Sequence, residues 1–404
     1  MNQQLPFQFN IDDFDYSLPE NKIATEPLAN RHDSKLLVYK NGIIQESLFQ
    51  NVTDFLPNNS VLVFNNTKVN KARLKFKNAN GKIIEVFCLE PANGVEINLA
   101  MNTSRQINWN CLVGNLKQWK ENFLTINKEG IELKVEIGER NQGHLSLTFN
   151  WNPKDLTFAE ILEHFGEVPI PPYLKRESNS SDVERYQTIY AANQGSVAAP
   201  TAGLHFTNEV LDKLTKKSIQ QVHLTLHVGA GTFKPIKGNS IAEHEMHKEQ
   251  IEVTSDLLLK LIEHSHQKTI CVGTTSLRTL ETIYWMGLKA YYQSELSLSE
   301  LEVKQWDPYL LKLNLISKQE SYKALLNWMR LTKMERVVCN TQILIAPPYK
   351  VKTVDGIITN FHQPKSTLLL LVNALVGDKW KDIYHYALSN NFRFLSYGDS
   401  SLLL

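Results

Sequence analysis

The sequence predicts an α/β protein in which a discontinuous, layered α/β domain is interrupted by an inserted antiparallel β-barrel domain. A length of 404 residues suits two domains of ordinary size. Short runs with alternating polarity fill residues 68–150, and strand-like and helix-like segments alternate beyond residue 152. We therefore expect residues 1–66 and 152–404 to form the α/β domain and residues 67–151 the barrel.

Composition and charge are those of an ordinary globular protein. Hydrophobic residues make up 42% and charged residues 21% of the chain, and the formal net charge is +1, which excludes a disordered chain and a uniformly basic nucleic-acid coat. The 4 cysteines stand far apart without a CxxC pair, so reduced thiols are favoured over disulfides or zinc. Neither a secretory signal nor an apolar run of about 18 residues is present, which predicts a cytoplasmic protein with no membrane contact.

The predicted barrel begins with a run in which cations alternate with apolar residues, KARLKFK. Side chains of a strand point to alternate faces, so one face carries Lys71, Arg73, Lys75 and Lys77. A row of cations can follow nucleic-acid phosphates. A solvated edge strand that uses lysine against aggregation would show the same pattern. The residues alone leave both readings open.

The α/β part reads as strands and helices in alternation, which is typical of a mostly parallel sheet covered on both faces. Thr157 and Glu160 have capping-box spacing at the start of a helix that ends at Gly166. Strands are predicted at residues 61–64, 220–228, 268–273, 341–346 and 356–361, and helices near residues 255–265, from about Ser276 and from Pro364.

Small and polar residues follow several predicted strands, at the sheet edge where open α/β sheets bind ligands. The stretch SVAAPTAGLHFT at residues 196–207 is dense in small residues that allow backbone to approach a ligand. The strand at 220–228 runs into a glycine-rich turn. The candidate ligand residues of these two stretches are Thr201, His205, His227, Gly229, Gly231 and Thr232. A structural role for the histidines stays open.

Polar residues also follow the strand at two predicted strand-to-helix junctions. Thr274, Thr275, Ser276 and Arg278 follow one strand, and Asn360, His362 and Lys365 follow another. Ordinary helix capping explains either junction alone. Two junctions together with the 196–207 loop favour one shared cleft, and we expect these residues to meet there.

The sequence His244-Glu245-Met246-His247 invites comparison with a metal site. The HExxH motif needs histidines four residues apart, and these are three apart. We therefore expect no metal, and favour acid–base or substrate-binding roles, since histidine titrates near neutrality. The chain also lacks the GxxxxGK[ST] and GxSxG motifs.

Nine segments in the same order closely resemble the S-adenosylmethionine:tRNA ribosyltransferase-isomerases of queuosine biosynthesis. They span almost the whole chain and read FDYSLPENKIATEPLANRHDSKLLV, LVFNNTKVNKARL, VPIPPYLKRE, RYQTIYAANQGSVAAPTAGLHFT, LHVGAGTFKPI, HEMH, VGTTSLRTLE, VDGIITNFHQPKSTLLLLVNALVG and FRFLSYGDSSLL. The resemblance implies the same discontinuous α/β domain with an inserted barrel.

The resemblance also implies the reaction. The ribosyl portion of S-adenosylmethionine passes to 7-aminomethyl-7-deazaguanine at the wobble position of a tRNA with a GUN anticodon. It isomerises to the epoxy-cyclopentanediol of epoxyqueuosine, and adenine and methionine leave. S-adenosylmethionine is then a consumed substrate, no cofactor is needed, and we expect a monomer or weak homodimer.

Site roles follow from the resemblance as expectations. Proton transfer is assigned to His205, His227 and His247, with Glu245 as orienter or base. S-adenosylmethionine binding is assigned to Thr201, Gly229, Gly231, Thr232, Thr274, Thr275, Ser276, Arg278, Asn360, His362 and Lys365. A tRNA substrate shifts the balance for the cationic face, Lys71, Arg73, Lys75 and Lys77, toward phosphate contact.

The chain departs from the family pattern at Asn66 and in residues 292–336. Asn66 stands where the family usually has aspartate, which favours a diverged paralogue that binds RNA or an adenosyl ligand without this chemistry. Residues 292–336 look like an insertion. It either touches tRNA through Arg330, Lys333 and Arg336 or covers a sheet edge.

Overall fold

The computed structural model describes residues 10–141, 144–229, 231, 241 and 244–404. The strands, in chain order, are β1 Lys35–Lys40, β2 Ile43–Leu48, β3 Ser60–Asn65, β4 Thr67–Val69, β5 Arg73–Lys77, β6 Ile83–Pro91, β7 Gln106–Gly114, β8 Phe123–Lys128, β9 Ile131–Asn141, β10 His144–Asn152, β11 Asn193–Ser196, β12 Gln220–His227, β13 Glu249–Thr254, β14 Lys268–Val272, β15 Arg336–Thr341, β16 Gly356–Asn360 and β17 Ser400–Leu403.

The α-helices are α1 Val52–Phe55, α2 Ile97–Met101, α3 Phe158–Phe165, α4 Asp182–Arg185, α5 Asn208–Lys216, α6 Ser255–Glu263, α7 Thr274–Tyr292, α8 Leu298–Leu301, α9 Asp307–Leu310, α10 Lys318–Leu331, α11 Thr367–Val376 and α12 Lys379–Ser389. Short 3-10 helices join some of them, including Thr201–His205. Among the described helices, none combines the length and apolar character needed to cross a membrane.

The larger sheet has nine strands in the order β15-β13-β12-β3-β14-β16-β17-β1-β2. Its centre, β12-β3-β14-β16, is parallel, and every residue of β3 is buried, as expected for a strand covered on both faces. Outside this centre the pairs are antiparallel except β17 with β1. The prediction of a mostly parallel sheet therefore holds for the centre and is wrong for the edges.

The smaller sheet has six antiparallel strands in the order β5-β6-β7-β10-β9-β8. Its two end strands, β5 and β8, lie close together, so the sheet is nearly closed around its own hydrophobic core. Helix α3 packs Phe158 into that core, and Thr157 and Glu160 form the predicted capping box at its start. The predicted α/β class with an antiparallel barrel is confirmed; the domain boundaries stay a prediction.

The segment 292–336 covers an edge of the larger sheet. Val303 pairs with Thr341, and the Gln342 N–H donates to the Val303 carbonyl at 3.1 Å. Helix α10 lies against α7, and the contact needs Gly287, because a Cβ there would meet the Ser321 carbonyl oxygen at 2.1 Å. These contacts correspond to the edge-covering alternative.

Two predicted elements differ in the structure. Residues 342–346 are not a strand; they are buried beside Tyr309, whose hydroxyl donates to the Ala346 carbonyl at 2.9 Å. Their apolar run imitates a strand because burial alone selects such residues. Helix α11 begins at Thr367 with Ser366 as its cap, not at Pro364, because Lys365 adopts a positive φ of 52° that helical backbone excludes.

Buried Glu281 on α7 fixes the segment that leads into β16. Its carboxylate accepts bonds from the Thr353 N–H at 2.8 Å, the Lys352 N–H at 3.0 Å and the Tyr349 hydroxyl. We expect Glu281→Ala to lower the free energy of unfolding by about 3 kcal/mol, because several buried donors lose their acceptor. Urea unfolding measures the loss, and Glu263→Ala, at an exposed position of α6, serves as the control. A loss no larger than that of the control would contradict this account.

Candidate active site

The main cleft lies where the parallel strands β14 and β16 end. Its empty volume, open mouth included, is about 740 Å³. Predicted site residues from three separate segments line it, namely Thr201, Thr274, Thr275, Asn360 and His362. The small residues Ala198, Ala199 and Ala202 form part of its wall. The predicted convergence of strand ends on one cleft is therefore present in the fold.

A hydrogen-bonded chain fixes one wall of this cleft. Thr201 Oγ1 donates to Asn360 Oδ1 at 3.1 Å, and Asn360 Nδ2 lies 3.2 Å from His205 Nε2. His205 Nδ1 in turn lies 2.8 Å from Ser34 Oγ. Burial lowers the pKa of His205 to about 4, so the ring is neutral at pH 7. His205 thereby lies behind the cleft and orients Asn360.

The start of helix α7 forms another wall. Gly273 has a φ of +87°, which turns the chain from β14 into the helix. Within the described part of the chain, the buried Oγ1 of Thr275 has no hydrogen-bond partner. Ser276 Oγ instead donates to the carbonyl of Val272, the last residue of β14, at 2.7 Å. Thr275 is therefore available to a ligand, and Ser276 is occupied.

A buried ion pair joins α7 to β13. The Arg278 guanidinium donates to Glu249, and the side chains are 6% and 0% exposed. Glu249 also lies 3.2 Å from His247 Nε2 and accepts the Gly229 N–H at 3.2 Å. Burial by itself would raise the pKa of Glu249, but Arg278, followed by His247, outweighs it and lowers the pKa to about 2.

A second pocket, of about 410 Å³, continues from the main cleft. Thr274, Thr275 and Leu368 line both, and the second pocket adds His247 and Arg278. Nε and Nη2 of Arg278 are buried without a hydrogen-bond partner in the described part of the chain. The unused N–H groups of this buried guanidinium can donate hydrogen bonds to a polar ligand atom, and leaving them without an acceptor is unfavourable.

His227 lies in a third cavity, between the two sheets. This cavity of about 810 Å³ is lined by Glu90, Pro91 and Asn110 of the smaller sheet and by His227 and Glu249 of the larger one. His227 Nδ1 lies 3.0 Å from Thr67 Oγ1, and burial lowers its pKa to about 4. Gly195 packs against this ring, since a Cβ there would lie 2.7 Å from Nδ1.

With this geometry in place, comparison with known proteins decides the family. Residues 11–403 match the family model described as queuosine biosynthesis protein. The chain belongs to this queuosine biosynthesis family. The family prediction is confirmed, and with it membership of an enzyme family.

Relatives within the queuosine biosynthesis family carry one name. Proteins named S-adenosylmethionine:tRNA ribosyltransferase-isomerase are 36% identical in Halothermothrix orenii and 35% identical in Thermotoga petrophila; each alignment covers 98% of this chain and 99% of the relative. A Prochlorococcus marinus relative with that name is 34% identical over 96% of this chain and 93% of its own. A crystal structure of S-adenosylmethionine tRNA ribosyltransferase from Thermotoga maritima is 27% identical, with a TM-score of 0.46, over 97% of this chain and 100% of that one.

Several residues to which the sequence assigned catalytic or ligand-binding roles are not among the residues that line the main cleft. Glu245 is exposed, and Lys365 Nζ is paired with Asp12 at 2.7 Å and Asp15 at 3.1 Å. Thr232 lies outside the described residues. Gly231 is beside His247, since a Cβ there would lie 2.4 Å from the ring.

The cationic face of this family member has the predicted orientation but is largely paired. Ala72, Leu74 and Phe76 are buried, and the four cations lie on the opposite face. Lys71 pairs with Glu163 at 2.8 Å, Arg73 with Glu85, and Lys75 with Glu167 at 2.9 Å and Glu177 at 2.8 Å. Lys77 is exposed. Acidic partners therefore offset much of the charge that the sequence suggested.

The residue that sequence reasoning missed is Glu249. It follows the HEMH segment by two positions and begins an alternating strand in which Ile251 and Val253 are buried. Its place on the buried side of that alternation is the signal that could have identified it. Nowhere in the described ranges do three or more His, Cys, Asp or Glu side chains come together as metal ligands would.

The buried neutral histidines predict acid sensitivity. Burial lowers the pKa of His205 and His227 to about 4 and of His362 to about 3. As the pH is lowered from 6.5 to 4, the unfolded chain takes up protons that the folded chain does not. The free energy of unfolding therefore decreases as the pH decreases. Each such histidine adds about 1.4 kcal/mol per pH unit to the slope.

We therefore expect His227→Gln to reduce the slope of the unfolding free energy against pH by about 1.4 kcal/mol per pH unit between pH 6.5 and 4.5, which corresponds to the uptake of one proton fewer on unfolding. Chemical unfolding at pH values from 6.5 to 4.5 measures it. His266→Gln, at an exposed position, is the matched control and should leave the slope unchanged. An unchanged slope in the His227 variant would contradict the neutral, buried ring.

Proposed function

We propose that this enzyme transfers and isomerises the ribosyl moiety of S-adenosylmethionine onto 7-aminomethyl-7-deazaguanine at the wobble position of a GUN-anticodon tRNA in the cytoplasm, as a monomer or weak homodimer. The products are epoxyqueuosine-tRNA, adenine and methionine. The name that these relatives carry supports both substrates. The observation that carries the proposal is the meeting of Thr275, Asn360 and Arg278 at one continuous cleft in a chain of this family.

The reaction requires a base for one proton. The sulfonium of S-adenosylmethionine acidifies the adjacent C5′ hydrogens, and a positioned base must remove one of them. His247 lines the second pocket and lies 3.2 Å from Glu249, whose carboxylate would stabilise the imidazolium that forms. We assign the role of this base to His247. Glu245, which the sequence suggested as orienter or base, is given no role in the reaction.

The other groups bind and orient. Thr275 Oγ1 and the free donors of Arg278 would bond polar atoms of the nucleoside or the methionine. His205 acts as a positioning residue because its ring reaches the cleft only through Asn360. The cavity that holds His227 joins the two sheets and would receive the unstacked wobble base.

The amine of the tRNA precursor must be neutral when it attacks carbon. A neutral amine is favoured where burial penalises charge, and burial lowers the pKa of His227, which lines the third cavity. The amine's proton would then be lost before attack, and it would leave to solvent.

We expect His247→Gln to lower the rate of adenine release by about 100–10,000-fold, because the variant cannot accept the C5′ proton. The assay follows adenine by chromatography, with S-adenosylmethionine and tRNA that carries the aminomethyl precursor. His244→Gln, three residues earlier, is the control and should stay near the wild-type rate. A wild-type protein that binds both substrates but releases no adenine would instead identify a diverged paralogue.

For the cationic face, we expect Lys77→Gln to reduce the slope of log tRNA affinity against log salt by about one, because one phosphate contact is lost. Lys75→Gln should reduce it less, since Glu167 and Glu177 compete with phosphate for that ammonium. Filter binding at several salt concentrations measures both slopes. Unchanged slopes in both variants would make this face a solvated edge strand.

A further inference from the structure

A pocket with three arginines lies directly behind the main cleft. This arginine pocket, of about 290 Å³, is lined by Arg31, Arg185, Arg393, Ser34, His205 and Ser396, among others. Ser396 lines the main cleft as well, and His205 reaches Asn360 at 3.2 Å. A group bound in the arginine pocket would therefore lie close to a ligand in the main cleft.

Two of the guanidiniums are bonded to uncharged acceptors. Arg31 donates to the backbone carbonyls of Gln187 and Glu184, both at 2.6 Å. Arg185 donates to the backbone carbonyl of Ala29 at 2.9 Å, and its buried Nε has no hydrogen-bond partner in the described part of the chain. These bonds hold the two side chains in place, and among the described contacts no carboxylate forms an ion pair with either of them.

Of the carboxylates near the pocket, one offsets the charge of Arg393, one is engaged elsewhere and one is exposed. Asp399 pairs with Arg393 at 3.0 Å, and Asp182 pairs with Arg176 at 2.7 Å. The Glu184 side chain is exposed. Burial, and then the charge of Arg185, lower the pKa of Arg31, so the two guanidiniums repel each other across the pocket. A bound anion would relieve that repulsion.

We propose that the arginine pocket binds an oxyanion of a substrate: the carboxylate of the methionine moiety or a phosphate of the tRNA backbone. This inference rests on the proposed function for its two sources. Planar guanidiniums match both groups, since each offers two oxygens to paired N–H donors. The bound oxyanion would fix the substrate at one end while its reacting atoms lie in the main cleft.

The first experiment uses inorganic phosphate as the probe. Phosphate at millimolar concentration should raise the unfolding temperature of the wild type above that in chloride at equal ionic strength. The double variant Arg31→Gln/Arg185→Gln should lose this increment, and Arg330→Gln, at an exposed position of α10, should keep it. An equal increment in all three proteins would overturn the proposal.

The second experiment identifies the source of the oxyanion with the same variants. Loss of S-adenosylmethionine affinity by 10-fold or more in equilibrium dialysis, with an unchanged salt slope for tRNA, identifies the carboxylate. A salt slope for tRNA reduced by about one or two, with unchanged S-adenosylmethionine affinity, identifies a phosphate. If a folded double variant changes neither, the proposal is wrong.

Folding of the variants is checked by circular dichroism. If the double variant does not fold, Arg185→Gln alone takes its place, because it keeps both bonds of Arg31. The pair Arg31→Lys/Arg185→Lys keeps the charge without the planar fork and should retain part of the phosphate increment. Failure of the wild type to release adenine would remove the proposed function, and the phosphate result would remain separate from it.

Discussion

The buried ion pair between Arg278 and Glu249 is the interaction on which the site depends. Removing two charges from water costs several kcal/mol each, and this cost is offset only when they meet each other with further hydrogen bonds. Glu249 meets that condition through His247 and the Gly229 N–H. The pair ties helix α7 to strand β13, so the helix start that carries Thr275 cannot shift without breaking it. Placement of the cleft wall formed by α7 follows from this contact.

Local signals in the sequence were enough to predict most helices and strands. They were not enough to predict which distant residues form contacts with one another. The capping box of Thr157 and Glu160 acts within one helical turn, so it could be read directly. Glu249 and Arg278 are 29 residues apart, and only the fold makes them partners. Likewise, the sequence predicted Lys365 as a ligand residue. In the fold its ammonium pairs with Asp12, which lies near the other end of the chain. Candidate sites at strand ends were predictable because parallel strands end at a common edge.

Asn66 bears on the alternative of a diverged paralogue. Its Oδ1 accepts the Thr225 hydroxyl at 2.8 Å and the Asn193 side-chain amide at 3.4 Å. An amide in this place is satisfied by its neighbours and joins β12 to the start of β11. A structural explanation therefore exists for Asn66, and the paralogue hypothesis loses the support that the residue gave it from sequence alone.

Charge placement indicates where an anionic substrate would be held. A net charge of +1 provides little long-range attraction for an anion. An anionic substrate therefore depends on local clusters of positive charge for binding. On β5 and just before it, glutamates already pair with Lys75 and Lys71, and phosphate would have to displace them. Arg31 and Arg185 bond only to carbonyls among the described contacts, so an oxyanion there displaces no carboxylate. An oxyanion bound by Arg31 and Arg185 would therefore displace fewer ion pairs than one bound along the barrel strand.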